Sequence, residues 1–178
     1  MKIHGTAKGG ALSKKDFGVA FSTAAAGCTT ETVYEQTTTN DDINFDSDYT
    51  KIGVKYTAAS NLGKLAKATF NLKKTGTPSG TVECHYFSGT TDTETSSDSY
   101  DISEFTTSYA EKEFTFSEEN VISQNDIIAV VYTGSTQLNM AQNTGSISNW
   151  QYAFYDSSGD SWAALSRSPK GSIEACQT

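Results

Sequence analysis

Short segments in which apolar and polar residues strictly alternate constrain this chain more than anything else in it. In residues 51–57, Ile52, Val54 and Tyr56 share one parity and Lys51, Gly53 and Lys55 the other. Residues 65–73 repeat the pattern, with Ala66, Ala68, Phe70 and Leu72 expected inside and Lys67, Thr69, Asn71 and Lys73 outside. Successive side chains of a strand point to opposite faces, so each segment reads as part of a sheet with one solvated face. Residues 81–87 alternate through Val82, Cys84 and Tyr86, and residues 111–117 put Phe114 and Phe116 on one side. Residues 127–133, IIAVVYT, are apolar on both parities, which predicts the most buried, central strand. Ile128, Val130, Phe70, Leu72, Phe114 and Phe116 are therefore the expected core.

Residues 32–36, 137–141, 150–155, 161–165 and 171–175 are shorter strand candidates. Between the candidates lie turns with a mechanism. In TGTPSG, residues 75–80, Pro78 presets its own φ and the glycines tolerate positive φ. Residues 156–160, DSSGD, read as a hairpin loop in which Asp156 and Asp160 are turn formers. Residues 88–99 are polar and of low complexity, and are expected as a surface loop; residues 40–49 are expected as an acidic loop. About nine strands at regular spacing, with no helix longer than a turn or two, predict a sandwich or barrel.

The 178 residues suit one domain. Thr (25) and Ser (22) fill much of the space that apolar residues leave, and Thr fits a half-buried pleated surface. The net charge of −8 and a single arginine, Arg167, argue against nucleic acid as the main partner, because phosphate neutralisation needs clustered Lys and Arg. The acidic surface reads as a solubility device. Residues 1–10 lack the apolar stretch of a signal peptide, and no segment has the length and hydropathy of a membrane span. The Ser/Thr-rich composition nevertheless looks extracellular. A virus particle reconciles the two, since its proteins are made in the cytosol and work outside.

Residues 1–26 stand apart from the sandwich expected over residues 27–178. They are Gly-rich and basic, with no sustained period, and are expected to form an extended arm that docks on another subunit. Lys8, Lys14, Lys15, Phe17, Val19 and Phe21 are the candidate assembly residues. The last three alternate and could add a strand to a sheet edge. The alternatives are a disordered tail or a first strand paired within its own domain. Of the three cysteines, Cys28, Cys84 and Cys176, no two have Cys-x-x-Cys spacing, and an odd count permits at most one internal bridge. Buried free thiols are expected.

Catalysis has little to draw on. His4 lies in the arm, and His85 follows Cys84 in a strand, so the two side chains of that pair point apart. No Ser-His-Asp arrangement and no Gly-x-Ser-x-Gly elbow is present, and no enzyme is expected. Calcium is the one cofactor candidate. Asp41, Asp42, Asn44, Asp46 and Asp48 crowd one segment, and calcium takes six to eight oxygen ligands. The spacing is not that of an EF-hand, and a solvated acidic turn is the plainer explanation. Aromatic residues offer a sugar platform: Trp150 and Tyr152 share a parity, Tyr155 takes the other, and Trp162 lies across the hairpin loop. Rings stack on the apolar faces of sugars, although alternating aromatics in a sandwich also fill cores.

From KIGVKYT at residue 51 onward, the chain resembles jelly-roll β-sandwich modules of microbial surface proteins, carbohydrate-binding regions and phage or virus structural proteins. The resemblance is carried by LAKATFNLKKTGTPSGTVECHYF, EFTFSEENVISQNDIIAVVYTG and WQYAFYDSSGDSWAAL, and covers residues 45–176. The opening HGTAKGGALSKKDFGVAF resembles a segment found in proteins of marine archaea and their viruses. The resemblance implies an all-β, jelly-roll-type antiparallel β-sandwich that binds or builds. The expected function is a non-enzymatic structural or attachment protein of a virion: capsid-decorating, tail or fibre-like, and homo-oligomeric through its arm. The alternative is a carbohydrate-binding module of a cell-surface or secreted protein. Expected partners are copies of itself, other virion or surface proteins, and glycans, on a virion or an extracellular surface.

Overall fold

The alternating segments become strands of two antiparallel sheets that pack face to face. The structure is a computed structural model and describes residues 28–134 and 136–177. In chain order its strands are β1 (Thr29–Gln36), β2 (Asp41–Phe45), β3 (Tyr49–Tyr56), β4 (Lys64–Lys74), β5 (Thr81–Ser88), β6 (Thr91–Asp101) and β7 (Ala110–Thr115). They continue as β8 (Ile127–Tyr132), β9 (Leu138–Asn143), β10 (Trp150–Asp156), β11 (Ser161–Leu165), β12 (Ser168–Pro169) and β13 (Gly171–Gln177). One sheet runs β1-β13-β4-β9-β12, with β2 also on β9 and β7 also on β4; the other runs β11-β10-β3-β8-β5-β6. The architecture is an all-β sandwich; jelly-roll connectivity is not part of what this strand order shows. No helix among the described residues is long and apolar enough to cross a membrane.

The expected core residues are all buried: Phe70, Phe114, Ile128 and Val130 completely, Leu72 and Phe116 nearly so. They meet Ile52, Val54 and Tyr56 from β3 and Val82, Cys84 and Tyr86 from β5 between the sheets. β8 lies between β3 and β5, with its Ile128 and Val130 in this core. Its opposite parity is covered as well, since Ile127 and Ala129 belong to a second, smaller cluster outside the six-stranded sheet. Burial on both faces explains why this strand is apolar throughout.

Four expectations are corrected. Residues 88–99 are not a loop: most of them form β6, an edge strand paired with β5. An edge strand needs no apolar alternation, and of its eleven residues only Ser96 is buried. Residues 41–45 are likewise strand rather than loop. Phe45 pairs with Leu138 and Ile43 with Met140, which draws Asp41, Asp42 and Asn44 into a ladder. In β4, Leu65 rather than Ala66 joins the core, because a bulge opposite Glu174 and Ala175 shifts the parity there. Finally, Cys28 and Cys176 form a disulfide, with Cα atoms 5.4 Å apart, and only Cys84 is a buried free thiol. The pairing of β1 with β13 brings these two cysteines together from opposite ends of the chain. The arm at residues 1–26, with Lys8, Lys14, Lys15, Phe17, Val19 and Phe21, lies outside the described residues.

Candidate functional site on the outer face of the six-stranded sheet

Three residues with little or no side chain stand in register across the middle of the six-stranded sheet. Ala153 of β10 pairs with Gly53 of β3, which pairs with Ala129 of β8. A Cβ on Gly53 would lie 2.0 Å from the Ile128 carbonyl oxygen, so no larger residue fits without opening the sheet. This low row lets large side chains lean in from both ends of the face. Trp162 on β11 and Phe87 on β5 meet with ring centroids 5.0 Å apart, edge to face. Three strands separate β11 from β5. In a flat sheet four strand spacings would hold these two strands roughly 19 Å apart, so the face is strongly concave.

The concavity is an open groove of about 590 Å³. Tyr155 stands beside Trp162, with centroids 5.6 Å apart. Lys51 reaches over both walls, its Nζ lying 4.4 Å from the Tyr155 ring centroid and 5.4 Å from that of Phe87. Lys55, four residues along the same strand, also lines the groove. At the rim, Tyr155 donates its hydroxyl hydrogen bond to Asp160, which holds the phenol above its ordinary pKa. His85 stacks on Phe87 and bonds Asp92 at 2.8 Å through Nδ1 and Glu83 at 3.4 Å through Nε2.

One buried carboxylate holds this rim in place. Asp126 accepts from the Tyr86 hydroxyl at 2.5 Å, from the Ser123 amide at 2.7 Å and from the Gly89 amide at 3.1 Å. It thereby ties the β5–β6 turn to the loop before β8, and Gly89 and Asn125 from these segments both line the groove. Burial first, then the bond to Asp126, pushes the Tyr86 phenol well above its ordinary pKa.

The aromatic candidates from the sequence therefore divide. Tyr155 and Trp162 come together on the outer face. Trp150 and Tyr152 fill the core, where Trp150 packs on Tyr34 and Tyr56 and donates its indole N–H to the Val33 carbonyl at 3.1 Å. Phe87, Lys51 and Lys55 were not singled out as site residues. The signal was present in β5 and β8: an aromatic on the outer parity at Phe87, and apolar residues on the outer parity at Ile127 and Ala129, both require something to cover that face.

The five acidic-segment candidates are spread over three settings. Asp41 accepts from Arg167 and from Gln142, and Asp42 accepts from Tyr109 and pairs with Lys73. Asn44 accepts from Asn139, while Asp46 takes the amides of Asp48 and Tyr49 at 2.8 Å each. The alternation of β2 puts Asp41 on the opposite face from Asp42 and Asn44. Among the described residues, the one group of three metal-ligating side chains that converges is Cys28, Cys176 and Glu118, and its two sulfurs are joined in the disulfide.

A second groove, of about 620 Å³, lies on the outer face of the seven-stranded sheet. Thr69, Asn71, Glu111, Glu113, Lys170 and Glu174 contribute to it, and no aromatic ring does.

Fold and site together define a class: an all-β sandwich with one concave, aromatic-walled face. No protein-family model, no curated protein and no solved structure matches the chain.

Proposed function

We propose that this chain is a non-enzymatic attachment module that binds glycans in the groove of its six-stranded sheet. The observation that carries the proposal is the convergence of Trp162, Tyr155 and Phe87 around an open concave surface. Sugar rings present apolar C–H faces that stack on aromatic rings, while their hydroxyls need polar partners close by. Asp92, Asn125, Asp160 and Ser161 supply such partners along the same groove. The disulfide supports work in an oxidising setting, since such bridges persist chiefly in secreted and surface-exposed proteins. A titration calorimetry series with neutral and acidic oligosaccharides tests the proposal. The intact chain binds at least one of them, and Trp162→Ala weakens that binding at least tenfold while melting stays within a few degrees. Equal binding by the variant would remove the groove as the site.

A virion component that assembles through residues 1–26 is the second reading, and one observation favours it. Cys28, the residue where the arm meets the sandwich, is bonded covalently to the last strand. Force applied through the arm would then pass into β13, in the middle of a sheet, and not only into the edge strand β1. Deleting residues 1–16 is expected to leave the sandwich folded and to abolish assembly with its partner. Unchanged assembly would refute this role for the arm.

A further inference from the structure

We infer that the ligand of this groove is an anionic glycan, one whose sugars carry carboxylate or sulfate groups; the inference rests on the glycan-binding reading above. Lys51 and Lys55 both line the groove, and neither has a carboxylate within 4.0 Å among the described residues. Elsewhere on the sandwich the cations divide: Lys64, Lys74, Lys112 and Lys170 also lack a carboxylate within 4.0 Å among the described residues, whereas three others are paired. Lys67 pairs with Glu113 and Glu174, Lys73 with Asp42, and Arg167 with Asp41. A chain of net charge −8 thus places two ammonium groups that lack a carboxylate partner in a hollow walled by Trp162, Tyr155 and Phe87.

The groove's own carboxylates form no ion pair with them: Asp92 and Asp160 lie beyond 4.0 Å of either ammonium, Asp92 held by His85 and Asp160 by the Tyr155 hydroxyl. Lys51 is also not a freely solvated lysine. Its ammonium lies over the Tyr155 and Phe87 rings, so its position is set before a ligand arrives and part of its hydration is already replaced. Four residues apart on one strand, Lys51 and Lys55 root on the same face roughly 13 Å from each other, a spacing that suits acidic groups on successive sugars of a chain. One aromatic wall for a sugar ring beside two cations for its acidic substituents is a complementary set for an anionic sugar. For a neutral one it leaves two charges unanswered.

The test uses the full chain with its disulfide intact and three probes: a galacturonic acid hexamer, a sulfated dextran oligomer and neutral cellohexaose. Short oligomers are chosen because a long polyanion is repelled by the rest of the surface. At least one acidic probe is expected to bind ten or more times more tightly than cellohexaose, and which of the two does so separates carboxylate from sulfate recognition. Lys51→Met and Lys55→Met keep most of the aliphatic stem, and each is expected to weaken the acidic probe about tenfold with cellohexaose affected less than twofold. Raising the salt concentration should weaken the acidic probe selectively. If the neutral probe binds as well as the acidic ones, or if both methionine variants lower all affinities equally, the charge assignment is wrong and the glycan site stands. If no probe binds, both readings fall.

Discussion

Asp126 and Gly53 are the two residues on which the groove depends most. Asp126 is almost completely buried and is the common acceptor for a phenol and two backbone amides. Replacing it with alanine leaves the Ser123 and Gly89 amides without their acceptor and the Tyr86 hydroxyl with the Val121 carbonyl alone, and each buried unmet donor costs about 1–3 kcal/mol. We expect Asp126→Ala to destabilise the domain by about 3 kcal/mol in urea unfolding and to weaken ligand binding, because the turn at Gly89 loses its anchor. A loss below about 1 kcal/mol would show that the network matters little. Gly53→Ala is expected to cost about 1–3 kcal/mol, since its methyl group would meet the Ile128 carbonyl and the backbone of Ala129. Asp42 supplies a pH dependence. Burial raises its pKa, but the bonds from Tyr109 and Lys73 outweigh that and leave it below the ordinary value. A depressed folded pKa means the contribution is fully present above the unfolded pKa, about 4, and is lost as pH falls through the lower folded value. Unfolding at pH 5 and pH 3 should therefore differ less for Asp42→Asn than for the native chain; an identical difference would contradict the assignment.

The strands show how far local pattern reaches. β3, β5 and β8 were legible because each has a core face, and burial enforces period two or, for β8, apolar residues on both sides. β6 was not, because an edge strand with few buried residues carries no such pattern; its Ser, Thr and Asp residues look the same in a loop. β2 was hidden by its charges. Ile43 and Phe45 alternate within it, but five residues with two aspartates read as a turn until β9 is there to pair with them. The bulge at Ala66 was unreadable for a related reason, since it depends on the register of β13, more than a hundred residues away. The site was half legible. Trp162 and Tyr155 were visible as ring-bearing residues around a hairpin, whereas their meeting with Phe87 depends on the curl of the whole sheet.

The sandwich is closed by a bond between the start of its first strand and its last strand. Cys28 and Cys176 are 148 residues apart, and they fasten the edge strand β1 to β13. Cross-linking a loop of this length restricts the unfolded chain strongly, and bridges of this kind typically contribute about 2–4 kcal/mol. Reduction, or Cys28→Ala with Cys176→Ala, should lower the melting temperature by roughly 5–15 °C in a domain of this size. Cys84 is fully buried in the core, and burial pushes its thiol pKa well up, so it should stay unreactive toward alkylating reagents until the domain unfolds. Because the groove lies on the other sheet from β1 and β13, ligand binding should survive reduction at temperatures where the sandwich stays folded.

The central claim is that one face of one sheet is the binding surface, and amide chemical-shift mapping during titration with the tightest-binding oligosaccharide tests it most directly. Perturbations are expected to cluster at Lys51, Lys55, Phe87, Tyr155 and Trp162, and at the rim around Gly89 and Asp160, with β1, β4 and β13 unmoved. Shifts concentrated instead around Thr69, Asn71 and Glu113, on the seven-stranded sheet, would contradict it.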